Sequence, residues 1–331
     1  MTNGRELQDV RVTEAKDFGR VAVMFGGGSS ERDVSLRSGQ AVLEALLRRD
    51  VDAVAWDPAE RSLTEFASAG FDRVWNALHG PGGEDGRIQG ALEWIGVPYS
   101  GSGVMASALA MDKLRSKKLF AAAGIPTPAY RIVRSLADAR SAAEELGYPL
   151  VFKPLQQGSS IGMSKVFEPD ELEPALKLAL EYGNTALAET CVVGDEITVS
   201  ILQGMALPSV CIETPRVFYD YRAKYESNTT EYRCPGSDDP EREALYASLA
   251  LRAFDELGCS GWGRVDFMHA DDQEPLVLEV NTVPGMTEQS LVPRAAFAAG
   301  ISFDELCWRV LESSMRVDSE TTTAKGRRYG S

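Results

Sequence analysis

Arg264 and Asp266, and then Glu279 and Asn281, stand two residues apart inside two stretches, Gly261 to Met268 and Leu276 to Met286. Both runs are rich in apolar and β-branched residues and are separated by a polar turn, 269–275, which predicts two strands. Strand side chains alternate between faces, so each pair shares one face. In a hairpin the two faces can coincide, and one patch of sheet then carries two carboxylates, an amide oxygen and a guanidinium. A carboxylate in an apolar strand is costly unless something pairs with it. Asp, Glu and Asn make an all-oxygen set that suits Mg²⁺ or Mn²⁺ and not zinc. Such an ion beside an arginine points to a nucleotide phosphate. The alternative is an edge hairpin whose polar face meets only water.

The elements that must position this patch begin with Arg20 to Phe25, a continuous apolar run of the kind buried on both faces of a parallel sheet. A turn follows, Gly26-Gly27-Gly28-Ser29-Ser30-Glu31-Arg32, and then a helix from about Val34 through Leu47. Strand, glycine turn and helix open a βα unit whose helix N-terminus favours an anion. Glu31 takes the place of the third glycine of a dinucleotide fingerprint, which weakens a nicotinamide-dependent oxidoreductase reading. Glu31 could instead grip a ligand ammonium while the helix end holds its carboxylate. The plainer reading is an acid that only complements the helix dipole. Val51 to Trp56 and Arg73 to Leu78 are further strands of this layer. The second runs into the glycine-rich loop 79–86, at the strand edge where ligands of open α/β sheets collect. His79 starts that loop, as either a structural or a functional histidine.

Met111-Asp112-Lys113 opens a new helix, and a domain boundary is expected near Ser107 to Asp112. Tyr148 to Pro154 is a strand carrying Lys153. It leads into a Gly/Ser hairpin, Gly158-Ser159-Ser160-Ile161-Gly162, that can offer donors to phosphate oxygens and close as a lid. No GKS or GKT follows, so this is not a Walker A loop. Ala186 to Glu189 and Asp195 to Leu202 are strands carrying acids, and Glu189 could hold an adenine amine or a ribose hydroxyl, or could simply be solvated. The stretch from Phe218 to Gly236 is long, polar and aromatic, a pattern that is functional or disordered. The four aromatics between Phe218 and Tyr225 argue against disorder. Glu241 to Leu257 and Phe303 to Leu311 read as amphipathic helices.

Hydrophobic residues make up 44% and charged residues 25% of the 331, as in soluble globular proteins. No apolar run approaches the ~18 residues of a membrane span, and the first residues show no secretory signal. The formal net charge of −15 argues against nucleic acid or an anionic membrane as the main partner. Five scattered cysteines without CxxC or zinc spacing suit a cytoplasmic protein.

Taken together, Glu31 in its glycine loop, His-Gly-x-x-Gly-Glu-Asp-Gly at 79–86, Met-Asp-Lys at 111–113, Lys153 with the 158–162 loop, Lys224-Tyr225, Gly-Arg-Val-Asp and Glu-Val-Asn-Thr-x-Pro-Gly-Met occur in one order. That order resembles the D-alanine–D-alanine ligases, ATP-grasp enzymes of peptidoglycan synthesis, over roughly Arg20 to Leu311. The resemblance implies an α/β fold of three domains clasping ATP: a leader at 1–18, an N-terminal parallel-sheet (Rossmann-like) domain at 19–110, a central domain at 111–197, a C-terminal domain at 198–318 and a tail at 319–331. It implies Asp266, Glu279 and Asn281 as ligands of Mg²⁺ or Mn²⁺, as a pair of ions. Lys113 and Lys153 would meet the ATP phosphates under a lid that includes Gly158 and Ser160. Glu189 and Glu196 would meet adenine and ribose. Glu31, with His79 nearby, would hold the ammonium of the first of two D-alanines, and Ser159 and Tyr225 would bond with it. Arg264 and the Gly285 backbone would form the oxyanion site. Ser290-Leu291 would hold the second carboxylate, and Lys224 would line the substrate site. A homodimer is implied as well. Thr190 and Gln156-Gln157 depart from the family's more usual residues.

The residues also fit this chemistry directly. A carboxylate that attacks the γ-phosphate needs charge neutralisation, and an amine that attacks the resulting acylphosphate needs donors on an oxyanion. D-lactate or D-serine as second substrate is the near alternative, and Tyr225 favours an amine acceptor over D-lactate. A nucleotide-binding module without catalysis is the more distant one; it would have lost a metal ligand or Arg264, and all are present.

Overall fold

The computed structural model describes residues 11–213, 230–270 and 273–315. Its first sheet is parallel, with β1 (Val21–Met24) between β2 (Ala53–Trp56) and β3 (Arg73–Asn76). The unbroken apolar run of β1 has the reason anticipated for it, because alternate residues enter different cores. Val21 and Val23 join α1 (Arg32–Arg48), while Ala22 and Met24 join Phe66 of α2 (Leu63–Ser68) and Leu92 of α3 (Arg87–Ile95). Gly39 lets α1 lie close on this sheet, since a Cβ there would sit 2.1 Å from Phe25 Cγ. Gly to Ala inside a helix ordinarily stabilises by up to ~1 kcal/mol. Here Gly39→Ala is expected to destabilise by ~1–3 kcal/mol through overpacking, measurable as a lowered urea midpoint.

The expected leader is corrected from residue 12 onward. Val12 and Phe18 are buried in the same core as α1, Phe18 lies edge-on to Trp308, and Val12 N–H donates to Glu312 Oε1 at 2.9 Å. Two apolar residues suffice to dock an otherwise polar segment. Residues 1–10 and the expected tail lie outside the described residues.

The second sheet has the antiparallel order β4 (Tyr130–Val133), β7 (Ala186–Thr190), β5 (Leu150–Pro154), β6 (Ser164–Val166). Two helices, α6 (Leu136–Leu146) and α7 (Leu172–Leu180), pack on it and complete a core of its own. Ser135 and Asp138 close a capping box at the start of α6.

The third sheet runs β11 (Glu231–Arg233), β10 (Val210–Glu213), β8 (Asp195–Leu202), β12 (Trp262–His269), β13 (Leu276–Asn281), with β9 (Met205–Ala206) on β8. One face packs on α8 (Pro240–Glu256). Ala106 and Ala110 of α4 (Val104–Met111) and Phe120 of α5 (Lys113–Ala122) join that same core. Two expected boundaries therefore move. β8 runs unbroken across 197/198, and residues 111–125 pack with the third sheet, so the second unit is confined to 130–190. Near the other end of the chain α9 (Leu291–Ala298) and α10 (Phe303–Glu312) fill the core shared by the first and third sheets. Among the described residues no helix is long and apolar enough to cross a membrane.

Candidate active site

β12 and β13 pair as an antiparallel hairpin in which Arg264 faces Asn281 and Asp266 faces Glu279. A bulge follows, Phe267 pairing with Val277, so Val277 and Val280 both reach the core although they are three apart. The polar face is tightly paired. Arg264 grips Asp266 with both arms, Nε to Oδ1 at 2.7 Å and Nη2 to Oδ2 at 2.8 Å, and Asn281 Nδ2 donates to Asp266 Oδ2 at 2.9 Å. Across the patch Lys113 Nζ lies 2.9 Å from Glu279 Oε2 and donates to Gln157 O at 2.8 Å. Burial works to lower the Lys113 pKa, but Glu279, with Glu189 and Glu31 beyond it, outweighs burial and raises it. Gln157 thus acts through its carbonyl, which any residue there could supply.

The donor set agrees with a hard cation, since both carboxylates are already held by cationic or N–H groups that an ion could replace. Among the described residues no three His, Cys, Asp or Glu side chains cluster for a metal. Beside its two carboxylates, Asp266 and Glu279, the patch offers the amide oxygen of Asn281.

A cavity of about 380 Å³ opens over the hairpin. Glu31, His79 and Ser159 form one wall, Arg264, Glu279 and Asn281 the floor, and Gly285, Ser290 and Leu291 the far side. Glu31 is the residue before α1 and is largely buried. It accepts a short hydrogen bond from Ser159 Oγ, and it packs so closely on Gly80 that a Cβ there would lie 2.8 Å from Oε2. His79 Nε2 is 3.2 Å from Ser38 Oγ, and Nδ1 is 3.4 Å from Glu84 Oε1. Ser38 Oγ also accepts from Met286 N–H at 3.1 Å, which ties the 283–286 loop to α1. Ser290 precedes α9 and bonds Thr287 through its hydroxyl at 2.8 Å.

The loop over the cavity is strained. Ser159 and Ser160 have φ of +50° and +58°, left-handed values that cost L-residues about 1–2 kcal/mol each. Such positions persist where surroundings over-determine them and collect at ligand clamps. Here the bond from Ser159 to Glu31 supplies one of those constraints.

On the far side of Lys113, Lys153 projects from β5 and pairs with Glu189 of β7. Glu189 is fully enclosed; burial alone would raise its pKa, but Lys153 and Lys117 bring it below the ordinary value. Glu196 lies at the start of β8, opposite Met268 and on the same strand face as Thr198, which pairs with Asp266. Thr190 N–H donates to Ala129 O at 3.0 Å. Lys224 and Tyr225 fall outside the described residues. Sequence reasoning passed over Lys117, Arg37 and Glu84. Arg37 lies one helical turn after Val34, and both line the cavity, a spacing that could have flagged them.

This arrangement has known counterparts. The profile described as D-ala D-ala ligase C-terminus matches residues 119–312, and D-ala D-ala ligase N-terminus matches residues 56–102. A D-alanine–D-alanine ligase of Pseudoalteromonas atlantica is 52% identical over 301 residues, covering 90% of this chain and 95% of that protein. One from Alkalilimnicola ehrlichii is 52% identical over 92% of this chain and 97% of its own length. Among solved structures, the D-alanine–D-alanine ligase of Bacillus anthracis complexed with ATP superposes with a TM-score of 0.79 at 34% identity, covering 93% of this chain and 99% of that one. The VanG D-Ala:D-Ser ligase of Enterococcus faecalis gives 0.77 at 30% identity, covering 89% and 99%. The three sheets are the α/β ATP-grasp architecture expected from the motifs, and the chain belongs to the D-alanine–D-alanine ligase family.

Proposed function

We propose that the protein joins two D-alanines into D-alanyl-D-alanine, converting ATP to ADP and phosphate, as a step toward peptidoglycan. The observation that carries this is one cavity lined by a carboxylate, Glu31, and an arginine, Arg264, together with Glu279 and Asn281, oxygen donors of the kind that suit a hard cation. Lys113, paired with Glu279 of the floor, and Lys153, paired with Glu189, would receive the phosphates. Asp266, Glu279 and Asn281 would hold Mg²⁺ or Mn²⁺, which neutralises charge on the transferring phosphoryl group.

In the first half-reaction the first D-alanine is held by Glu31, beside His79. Its carboxylate oxygen bonds to the γ-phosphorus while the bond to ADP breaks, leaving an acylphosphate. Lys113, Lys153 and Arg264 offset the charge on the moving group. In the second, the amine of the other D-alanine, anchored at Ser290-Leu291, attacks the acyl carbon. A C–N bond forms, the amine gives up its proton, and phosphate departs with the electron pair of the C–O bond. Arg264 and the Gly285 N–H hold the oxyanion. The 158–162 loop, tied to Glu31 through Ser159, keeps water from the acylphosphate.

Phosphate release with Mg-ATP and D-alanine, followed by mass identification of the product, tests the reading. D-alanine alone should yield the dipeptide and L-alanine nothing. The likeness to a D-Ala:D-Ser ligase makes D-serine the informative added substrate, with D-lactate beside it. A mixed dipeptide or depsipeptide as main product would overturn D-alanine as second substrate. Glu31→Gln removes the charged end of the ammonium site, so KM for D-alanine should rise about 10- to 100-fold, the worth of one charge-assisted hydrogen bond. An unchanged KM would remove Glu31 from that role.

Five free cysteines suit a reducing, cytoplasmic setting. Trp94 and Met105, on α3 and α4, are both exposed, and apolar surface of that kind suits a homodimer. A monomeric mass by light scattering would reject the dimer.

A further inference from the structure

Across Glu189 from Lys153 lies a lysine that the proposed reaction leaves without a task. Lys117, on α5, is 1% exposed. Its Nζ sits 2.5 Å from Glu189 Oε1, while Lys153 holds Oε2, so one buried carboxylate carries two ammoniums. The two lysines are anchored differently. Lys153 belongs to the second sheet, beside the nucleotide side of the site. Lys117 is fixed from behind: Nζ donates to Thr127 Oγ1 at 2.6 Å, lies 3.4 Å from Pro128 O, and sits 5.5 Å from the Tyr130 ring centre. Thr127 Oγ1 in turn donates to Val277 O at 2.8 Å, on the strand that carries Glu279.

We propose that Lys117 is the standing counter-ion of Glu189, keeping that carboxylate charged and aimed at the nucleotide while Lys153 turns to the ATP phosphates, and is thus a positioning residue for ATP. This rests on the assignment of Lys153 to the phosphates made above. Without Lys117, drawing Lys153 toward phosphate would strand a buried carboxylate, among the costliest single changes a protein interior undergoes. Glu189 would then take a proton and lose its strength as an acceptor for an adenine amine.

The charges around Lys117 give the idea a second, independent readout. They are Glu189, Lys153 and, farther off, Lys113, with the Tyr130 ring alongside. Burial pushes the Lys117 ammonium down to about 8, with Lys153 and Lys113 adding to burial and Glu189 opposing it. When the phosphates neutralise Lys153, one of the depressing charges is cancelled and Lys117 becomes more basic. Nucleotide binding near pH 8 should therefore take up protons.

The test pairs kinetics with calorimetry. Lys117→Met should raise the ATP KM about tenfold or more, as one partner of a buried pair is lost, with kcat and the D-alanine KM close to wild type. Binding of Mg-adenylyl imidodiphosphate to the wild-type enzyme at pH 8, in buffers of different ionisation enthalpy, should show proton uptake that Lys117→Met lacks. A wild-type ATP KM in Lys117→Met, or no proton uptake in the wild type, would overturn the proposal. Should the variant fail to fold, wild-type calorimetry still decides. Lys153→Met separates the premises. Unchanged ATP affinity there would sink the phosphate assignment and this proposal with it, whereas lost affinity there beside normal affinity in Lys117→Met would sink this proposal alone.

Discussion

Arg264→Ala should lower turnover by at least ~100-fold, the effect of losing one preorganised oxyanion donor. Arg264 is 8% exposed and its guanidinium is locked by two parallel bonds to Asp266, so it is aimed before substrate arrives. That preorganisation makes it useful to a developing negative charge, and it also makes lysine a poor substitute, because an ammonium cannot reproduce the fork. Arg264→Lys should therefore stay well below wild type. The loss should fall mainly on kcat, since the contact strengthens as charge develops. Removing Arg264 also deprives Asp266 of its cation, so the variant should be checked for folding by circular dichroism before its rate is interpreted. A folded Arg264→Ala enzyme with near-normal turnover would remove the arginine from the chemistry.

Trp262→Ala should be the most damaging substitution to stability, costing ~3–5 kcal/mol in denaturant unfolding. The indole is fully buried in the core shared by the first and third sheets, with its ring centre 5.3 Å from that of Trp75. It begins the strand that carries Arg264 and Asp266, so the same change should also loosen the site. Its Nε1 has no hydrogen-bond partner among the described residues, which means its burial is partly opposed by an unmet polar group. Trp262→Phe keeps most of the ring and removes that N–H, so it should cost clearly less. Equal losses for the two variants would show that the indole nitrogen is paired in solution.

What could be read from the sequence was whatever a short repeat encodes. The period-two placement of Arg264, Asp266, Glu279 and Asn281 announced a shared hairpin face, and the two strands do pair with Arg264 opposite Asn281 and Asp266 opposite Glu279, because one face must enter a core. The apolar run of β1 announced a strand covered on both sides. The features that escaped depend on contacts between distant segments. A lysine such as Lys117 has no local mark separating it from a solvated one, since only Glu189, more than seventy positions later, makes it a buried cation. Val12 and Phe18 look like part of a polar leader until Trp308 and Glu312 are brought beside them. The limits of the second unit were missed for the same reason. Asp195 to Leu202 reads as one strand, but which sheet it joins is decided by its pairing with β12.

The unit from Tyr130 to Thr190 enters and leaves through neighbouring strands, with Tyr130 paired to Glu189 and Thr190 bonded to Ala129. Because its two ends touch and its core is its own, it has the form of an insertion: a cassette spliced into a parent chain that could close over the gap with a short bridge. A parent without it would still have an unbroken core joining the first and third sheets. The seams such a splice must match are few and polar: Ser159 on Glu31, Gln157 O on Lys113, and Glu189 on Lys117.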